Sequence, residues 1–286
     1  MINTTTTIIG KKYNIEQVLG QGKFGIVYKG RNIKTGEEVA IKTEKRDVDS
    51  LYKILKYETT ILNHLSCNGC KNIPCVYWYG IYQEYTCLIM SYYSCNLQDY
   101  VNNKNIDQSK LNMIMIKCID ILENIHKHWV LHRDIKPHNF MINDGDLYII
   151  DFGLSAIYID ENSEHVKKLD SEHIIGTPKY VSYFTHCGDT VSRRNDLISL
   201  GYMYLYLMNG ELPWDNANMI EHNESNVSET HLTHTKNIFR RREKKWENIS
   251  KITTDSIYNY FKYCYELEYD TKPNYYILKE LFLFLC

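Results

Sequence analysis

The 286-residue sequence contains no run of about 18 consecutive apolar residues, the length a membrane-spanning helix needs. Its opening, MINTTTTIIG, lacks the apolar centre of a secretory signal, so export is not expected. An excess of one charge is missing too: 33 Lys and Arg stand against 35 Asp and Glu, a net charge of −2. That argues against bulk electrostatic binding to nucleic acid or membranes, while a local basic patch stays open. The expectations are therefore no nucleic-acid partner, no membrane, a cytoplasmic or nuclear location, and a monomer. A complete zinc ligand set is also absent. Nine cysteines are an odd number, and the one cluster, Cys67, Cys70 and Cys75 in SCNGCKNIPC, could supply three ligands. A structural zinc site needs four, and no neighbour offers an obvious fourth. In a reducing compartment such cysteines read as small buried hydrophobes. No internal repeat occurs.

Hydrophobic residues make up 44% of the chain, enough for a packed core. The length suits one large domain or two lobes sharing a cleft. Residues 13 to 46 read as strands: YNIEQVLG and GIVYKGRNI flank a glycine turn, and EEVAIKTEK follows the connection KTG. SLYKILKYETTILNHL carries Leu51, Ile54, Leu55, Ile61, Leu62 and Leu65 at roughly helical spacing. CLIMSYY reads as a buried strand. From about residue 95 helices dominate, among them SKLNMIMIKCIDILENIHKH, RRNDLISLGYMYLYLMNG and PNYYILKELFLFL. The expected organisation is a flexible N-terminus (1–12), a strand-rich lobe (13–91) and a helical lobe (92–286). The polar, aperiodic stretch 215–237 reads as a surface loop inserted in the helical lobe.

Four short stretches carry chemistry. In GQGKFGIV, Gly20, Gly22 and Gly25 have the spacing G-x-G-x-x-G, followed by Val27. Glycines let backbone amides approach phosphate oxygens with no Cβ in the way. A ligand-free glycine hairpin has the same look, and a dinucleotide fold uses the same spacing but must open a helix there. A strand, IVYKG, follows instead, which favours a lid over ATP. VAIK then puts Lys42 on a strand, where a buried ammonium needs an anion. ATP phosphates are one candidate and Glu58, mid-helix, is another; a solvated strand-end lysine is the plain alternative. LHRDIKPHNF brings together Asp134, Lys136 and Asn139, with Asp134 and Asn139 five apart. A carboxylate can accept a hydroxyl proton, a lysine can neutralise a transferring phosphoryl, and an amide oxygen can hold a metal ion. Finally LYIIDFGLS ends a short apolar strand on Asp151, suited to Mg²⁺; Asp-x-Gly alone marks many ordinary turns, but this one lies 17 residues after Asp134.

In this order the four resemble the protein kinase fold, an α+β bilobal architecture with a small antiparallel sheet, one main helix, and a larger helical lobe. The resemblance spans nearly the whole chain and implies ATP and Mg²⁺ as cofactors. It implies Met90 at the back of an adenine pocket, the backbone of Ser91 and Tyr93 at the adenine edge, and Val27, Ala40 and Met141 around the ring. Leu19 and Gln21 join Gly20, Gly22, Gly25, Lys42 and Glu58 as implied ATP contacts. Thr177 joins Asp134, Lys136 and Asn139 as catalytic, and Asn139 and Asp151 become metal ligands. A scaffold that has lost catalysis would be expected to lack one of these groups. A small-molecule phosphotransferase of related fold would lack the GT-x-x-Y anchor for a peptide, which residues 176–180 supply.

After that anchor most protein kinases show Ala-Pro-Glu, and here the chain has Ser182, Tyr183 and Phe184. GTPKYVSYFTHCGD with SRRNDLISLGYMYLYLMNGELPW is similar to the casein kinase 1 family, through Ser182, Thr185, His186, Gly188, Ser192, Arg193, Arg194, Asp196 and Leu197. Vaccinia-related kinases are the nearest confusable branch. His138 and Lys272 depart from the family's usual Asp and Arg. With Phe184 in place of the glutamate and lysine at the late position, no lone buried carboxylate arises. The resemblance implies a serine/threonine kinase acting on protein substrates near acidic or already phosphorylated residues, without activation-loop phosphorylation. Lys179 and Lys245 are candidates to read that upstream anion, the second within a run with Arg240, Arg241, Arg242 and Lys244. A solvated helix face or a nuclear-import patch would account for the run equally well.

Overall fold

The computed structural model describes residues 7–22, 25–46, 53–104, 106–170, 173–217, 229–253 and 255–283. The chain divides into two units, Met1–Asn96 with Met141–Gly153, and Leu97–Phe140 with Leu154–Cys286. Among the described residues no helix is long and apolar enough to cross a membrane.

The first unit is built on an antiparallel sheet of β1 (Ile8–Ile9), β2 (Tyr13–Gly22), β3 (Gly25–Asn32), β4 (Glu38–Lys45), β5 (Val76–Tyr82) and β6 (Tyr85–Ser91), in the order β1-β2-β3-β4-β6-β5. Alternation along each strand sorts the side chains. Tyr28, Val39, Ile41, Cys87 and Ile89 point to one face, where they join Ile9, Tyr13 and Ile15 in a buried cluster. Burying each large aliphatic of that cluster stabilises the unit by about 1.5–3 kcal/mol. Residues 7–12, expected to be a loose end, instead pair through Ile8↔Asn14 and Ile9↔Tyr13, with Ile9 fully buried. Its apolar side chain completes the cluster, which is why the strand forms. Residues 1–6 lie outside the described residues. Helix α1 (Ile54–Cys67) buries Leu55, Glu58, Ile61, Leu62 and Leu65, one stripe at helical spacing with a single charge in it. A short sheet of β7 (Cys95–Asn96), β9 (Phe140–Asn143) and β10 (Asp146–Ile149) accompanies it.

The second unit is helical: α2 (Leu97–Lys104), α3 (Gln108–Lys127), α4 (Tyr183–His186), α5 (Arg193–Asn209), α6 (Glu229–Glu243), α7 (Trp246–Ile252), α8 (Asp255–Glu266) and α9 (Tyr275–Leu283). Helix α3 begins where Asp107 accepts from the Lys110 N–H at 2.8 Å, a cap worth about 1 kcal/mol. Helix α5 is buried on all sides from Arg194 to Leu205, so it forms the centre against which α3 and α8 pack. A short pair, β8 (Val130–Leu131) and β11 (Ala156–Ile157), brackets residues 132–155.

The stretch 215–237 differs from the loop expected there. Residues 229–237 belong to α6, which continues to Glu243, and 218–228 lie outside the described residues. Sparse apolar residues hid this helix, whose composition is mostly polar and whose last turn holds Arg240, Arg241 and Arg242.

Candidate active site

In the first unit the ladder decides which side chains share a surface. Val27 pairs with Lys42, and Ala40 with Met90, so these four lie on the sheet face opposite the aromatic cluster. Lys42 is held by two carboxylates: its Nζ donates to Glu58 Oε1 at 2.6 Å and to Asp151 Oδ1 at 2.9 Å. Glu58 Oε1 also accepts the Phe152 N–H at 3.3 Å. Burial alone would pull the Lys42 ammonium downward, but Glu58 and then Asp151 hold its pKa above the ordinary lysine value. Burial pushes the Glu58 carboxyl up while Lys42 opposes it; with the amine charged, the pair is an ion pair. Glu58 is 1% exposed, whereas the Asp151 side chain is 46% exposed and can accept a further ligand.

The glycine turn lies beside Lys42. Gly25 has φ +133°, and a Cβ there would meet the Thr43 carbonyl at 1.9 Å, so no other residue fits without distortion. A Cβ on Gly20 or Gly22 would meet nothing within 4 Å, leaving their backbone open to a ligand. Lys23 and Phe24 between them lie outside the described residues. Gln21 pairs with Ile26, and Leu19 sits exposed at an irregularity between Val18 and Gly20. Farther along, Ser91 Oγ accepts the Cys75 N–H at 3.1 Å, Tyr93 stacks on Tyr148 at 4.6 Å, and Met141 pairs with Asn96.

In the second unit Asp134 is the hub. Its Oδ1 accepts the Thr177 N–H at 2.9 Å and the Thr177 hydroxyl at 2.7 Å. Its Oδ2 accepts Lys136 Nζ at 2.6 Å and Asn139 Nδ2 at 3.2 Å. Asn139 Nδ2 also donates to the Asp134 carbonyl at 2.8 Å, which turns the amide so that its oxygen is left as a hard ligand. Lys136 Nζ reaches Thr177 Oγ1 at 3.3 Å. Thr177 gets this close because Gly176, at φ +104°, passes against the Arg133 carbonyl, where a Cβ would sit at 2.4 Å.

Beneath this group lies Asp196 on α5. It accepts the His132 N–H at 2.7 Å, the Arg133 N–H at 2.9 Å and a contact from His126 Nε2 at 3.1 Å. Burial pushes its carboxyl up, but the His126 hydrogen bond and the neighbouring histidines hold it below the ordinary aspartate range. The Arg133 guanidinium donates to the carbonyls of Leu154 and Ser155.

A model of the protein kinase domain matches residues 13–273. The chain belongs to the protein kinase family. Protein kinase domains transfer a phosphoryl group to proteins and generally use ATP with Mg²⁺. The antiparallel sheet and the helical part are the kinase fold expected from the motifs. Within the first unit Lys42, Glu58 and Asp151 come together; within the second, Asp134, Lys136, Asn139 and Thr177 do so. Asp151 in the first unit and Asn139 in the second each present a hard oxygen, the donor type that Mg²⁺ takes in preference to a softer ion. Among the described residues no cluster of three or more His, Cys, Asp and Glu is arranged to hold a metal ion, and Cys67 and Cys75 are exposed while Cys70 is buried.

The segment after Gly176 is fastened differently from expectation. Phe184, standing where most kinases carry glutamate, lies under the Arg194 guanidinium at 3.7 Å, and Arg194 also donates to the Leu267 carbonyl at 2.7 Å. Lys272, which takes the place of the family's usual arginine, is exposed. The cation that braces the segment is Lys244, which sequence reading placed only in a basic run. It is fully buried, and its Nζ donates to the carbonyls of Pro178 at 3.0 Å and Val181 at 2.7 Å and lies 3.2 Å from His186 Nε2. The rings of Tyr202 and Trp214 each lie 4.9 Å from it. Trp214 Nε1 donates to the Lys179 carbonyl at 2.7 Å. Lys245 is exposed and precedes α7, whereas the Lys179 ammonium is paired with Asp215 at 2.8 Å. Asp196 and His126 were also missed as structural partners; an acid beside the apolar run LISLGYMYLYLM was the available signal.

Proposed function

We propose that this chain is an ATP-dependent serine/threonine protein kinase of casein kinase 1 type, acting on acidic or already phosphorylated protein substrates. The observation that carries the reading is the Asp134 carboxylate, held between Thr177 on one oxygen and Lys136 and Asn139 on the other. A carboxylate so oriented accepts the proton of an incoming hydroxyl, and the adjacent Lys136 ammonium offsets charge on the phosphoryl in transit. Lys42, fixed by Glu58, positions the α- and β-phosphates of ATP under the backbone of Gly20, Gly22 and Gly25. Val27, Ala40, Met90 and Met141 contact adenine, with the backbone of Ser91 and Tyr93 at its edge and Leu19 and Gln21 over it. Asp151 of the first unit and Asn139 of the second are the residues that would hold Mg²⁺, which would supply charge neutralisation to the phosphate oxygens. Lys136 beside Asp134 and Thr177 favours the short hydroxyl of serine or threonine. The Arg133 side chain is committed to the Leu154 and Ser155 carbonyls, which supports activity without a phosphate on the activation segment.

The test is a panel of serine and threonine peptides carrying neutral, acidic or phosphorylated residues upstream. Lys179→Glu combined with Lys245→Glu is expected to lower kcat/KM on phosphorylated peptides while ATP hydrolysis in the absence of peptide holds. An equal fall in both would remove Lys179 and Lys245 from substrate reading.

A further inference from the structure

Lys179, on which the recognition of an upstream anion rests above, already has an anion. Its Nζ lies 2.8 Å from Asp215 Oδ2 and 3.8 Å from the centre of the Tyr206 ring. Asp215 is itself fixed by a tight turn: its N–H donates to the Leu212 carbonyl at 2.8 Å, and its Oδ2 accepts the Leu212 N–H at 2.9 Å. The Trp214 bond to the Lys179 carbonyl ties this turn to the segment that follows Gly176. Both side chains of the pair are 27% exposed, so a ligand from solvent can reach them. A second cation senses the same carboxylate. Burial pulls the Arg240 pKa below its ordinary value, and Asp215 is the neighbouring charge that opposes this. One carboxylate thus lies within electrostatic reach of Lys179, Arg240 and Lys244, and it offsets part of the positive charge gathered there.

We infer that Asp215 is a specificity-determining residue, an internal anion that occupies Lys179 and must be displaced by the anion of a substrate. The inference deepens the proposed function and rests on Lys179 reading the substrate. The outcome of the competition follows from charge. A substrate carboxylate carries one negative charge, as Asp215 does, and Asp215 is already tethered in place, so exchange gains little. A phosphate carries about −1.5 to −2 with three acceptor oxygens and can win the exchange. The substrate class narrows accordingly, from acidic or phosphorylated to phosphorylated.

The experiment measures kcat/KM of the full chain on three matched peptides with neutral, aspartate or phosphoserine residues upstream of the acceptor. The variants are Asp215→Asn, Lys179→Ala and the double variant. In the wild type the aspartate peptide is expected to be used little better than the neutral one, and the phosphoserine peptide best. Asp215→Asn is expected to raise the aspartate-to-neutral ratio about fivefold, and the double variant to lose that gain. Asp215→Ser, whose hydroxyl can also accept the Leu212 N–H, is read in the same assay and guards against loss of the turn. If the ratio does not move in Asp215→Asn or Asp215→Ser while Lys179→Ala still weakens use of the phosphoserine peptide, Lys179 reads the substrate and the inference about Asp215 is wrong. If the wild type and Lys179→Ala use all three peptides alike, the underlying assignment of Lys179 fails and the inference falls with it. If the wild type phosphorylates none of the peptides, the proposed function itself fails.

Discussion

Two lysines in this protein, one largely and one fully buried, solve the same electrostatic problem in opposite ways. Lys42 meets two carboxylates, and its pKa is held up despite burial. Lys244 meets two carbonyls, an imidazole and two aromatic rings, and burial carries its pKa well below the ordinary lysine value, with Arg240 adding to the fall and Asp215 opposing it. The first arrangement keeps a full charge on the amine. The second uses the amine's N–H donors as a brace, satisfying carbonyls of a segment with no sheet or helix of its own between Gly176 and Val181. The amine kept charged is therefore surrounded by counter-charges, and the one that braces the chain by neutral acceptors.

The contrast predicts different losses. Lys42→Met is expected to lower phosphoryl transfer about 10²–10⁴-fold and to weaken ATP binding, with the melting temperature changed far less than activity. Isothermal titration with ATP analogues and steady-state rates separate the two effects. Lys244→Met is expected to act on stability first. It strands the Val181 carbonyl, at about 1–3 kcal/mol for the group left unpaired, and leaves the Pro178 carbonyl with His186 Nε2 at 3.2 Å as its partner. Urea unfolding reads that loss. In kinetics the KM for peptide is expected to rise while the KM for ATP holds. A Lys244→Met variant as stable as wild type would end the comparison.

A smaller effect concerns His186. Burial, reinforced by Lys244, lowers its pKa from 6.5 to about 2. The folded state therefore keeps the imidazole neutral where the unfolded chain takes up a proton. Stability from this group is present in full above about pH 6.5 and is lost as pH falls below it, by up to about 1.4 kcal/mol per pH unit. Urea midpoints at pH 7.5 and 5.5 are expected to differ less in His186→Gln than in the wild type. An equal shift in both would show that His186 does not carry the acid sensitivity.

The same pair of lysines shows what was legible in the sequence. Lys42, Asp134, Asn139 and Asp151 sit in short motifs whose spacing is itself the chemistry, so each could be named before any coordinates. Lys244 sits in RRREKK, where nothing local separates it from its solvated neighbours. Its burial follows from α6 ending where Tyr202 and Trp214 leave room for an ammonium, a tertiary fact. Helix α6 was hidden for a related reason: its polar composition gives little amphipathic signal. Phe184 was read only as leaving no stranded carboxylate; its cationic neighbour, Arg194 on α5, is again a tertiary fact. Residues 7–12 looked like a tail because two adjacent isoleucines are too short a run to announce a strand, yet Ile9 is needed to fill the cluster around Tyr28.

The most direct measurement is transfer of labelled γ-phosphoryl from ATP to a serine peptide by purified wild-type protein and by Asp134→Asn. The predicted result is transfer by the wild type, a rate about 10²–10⁴-fold lower in Asp134→Asn, and nucleotide affinity retained in the variant. Equal rates from the two proteins, or no transfer to serine or threonine by the wild type, would contradict it.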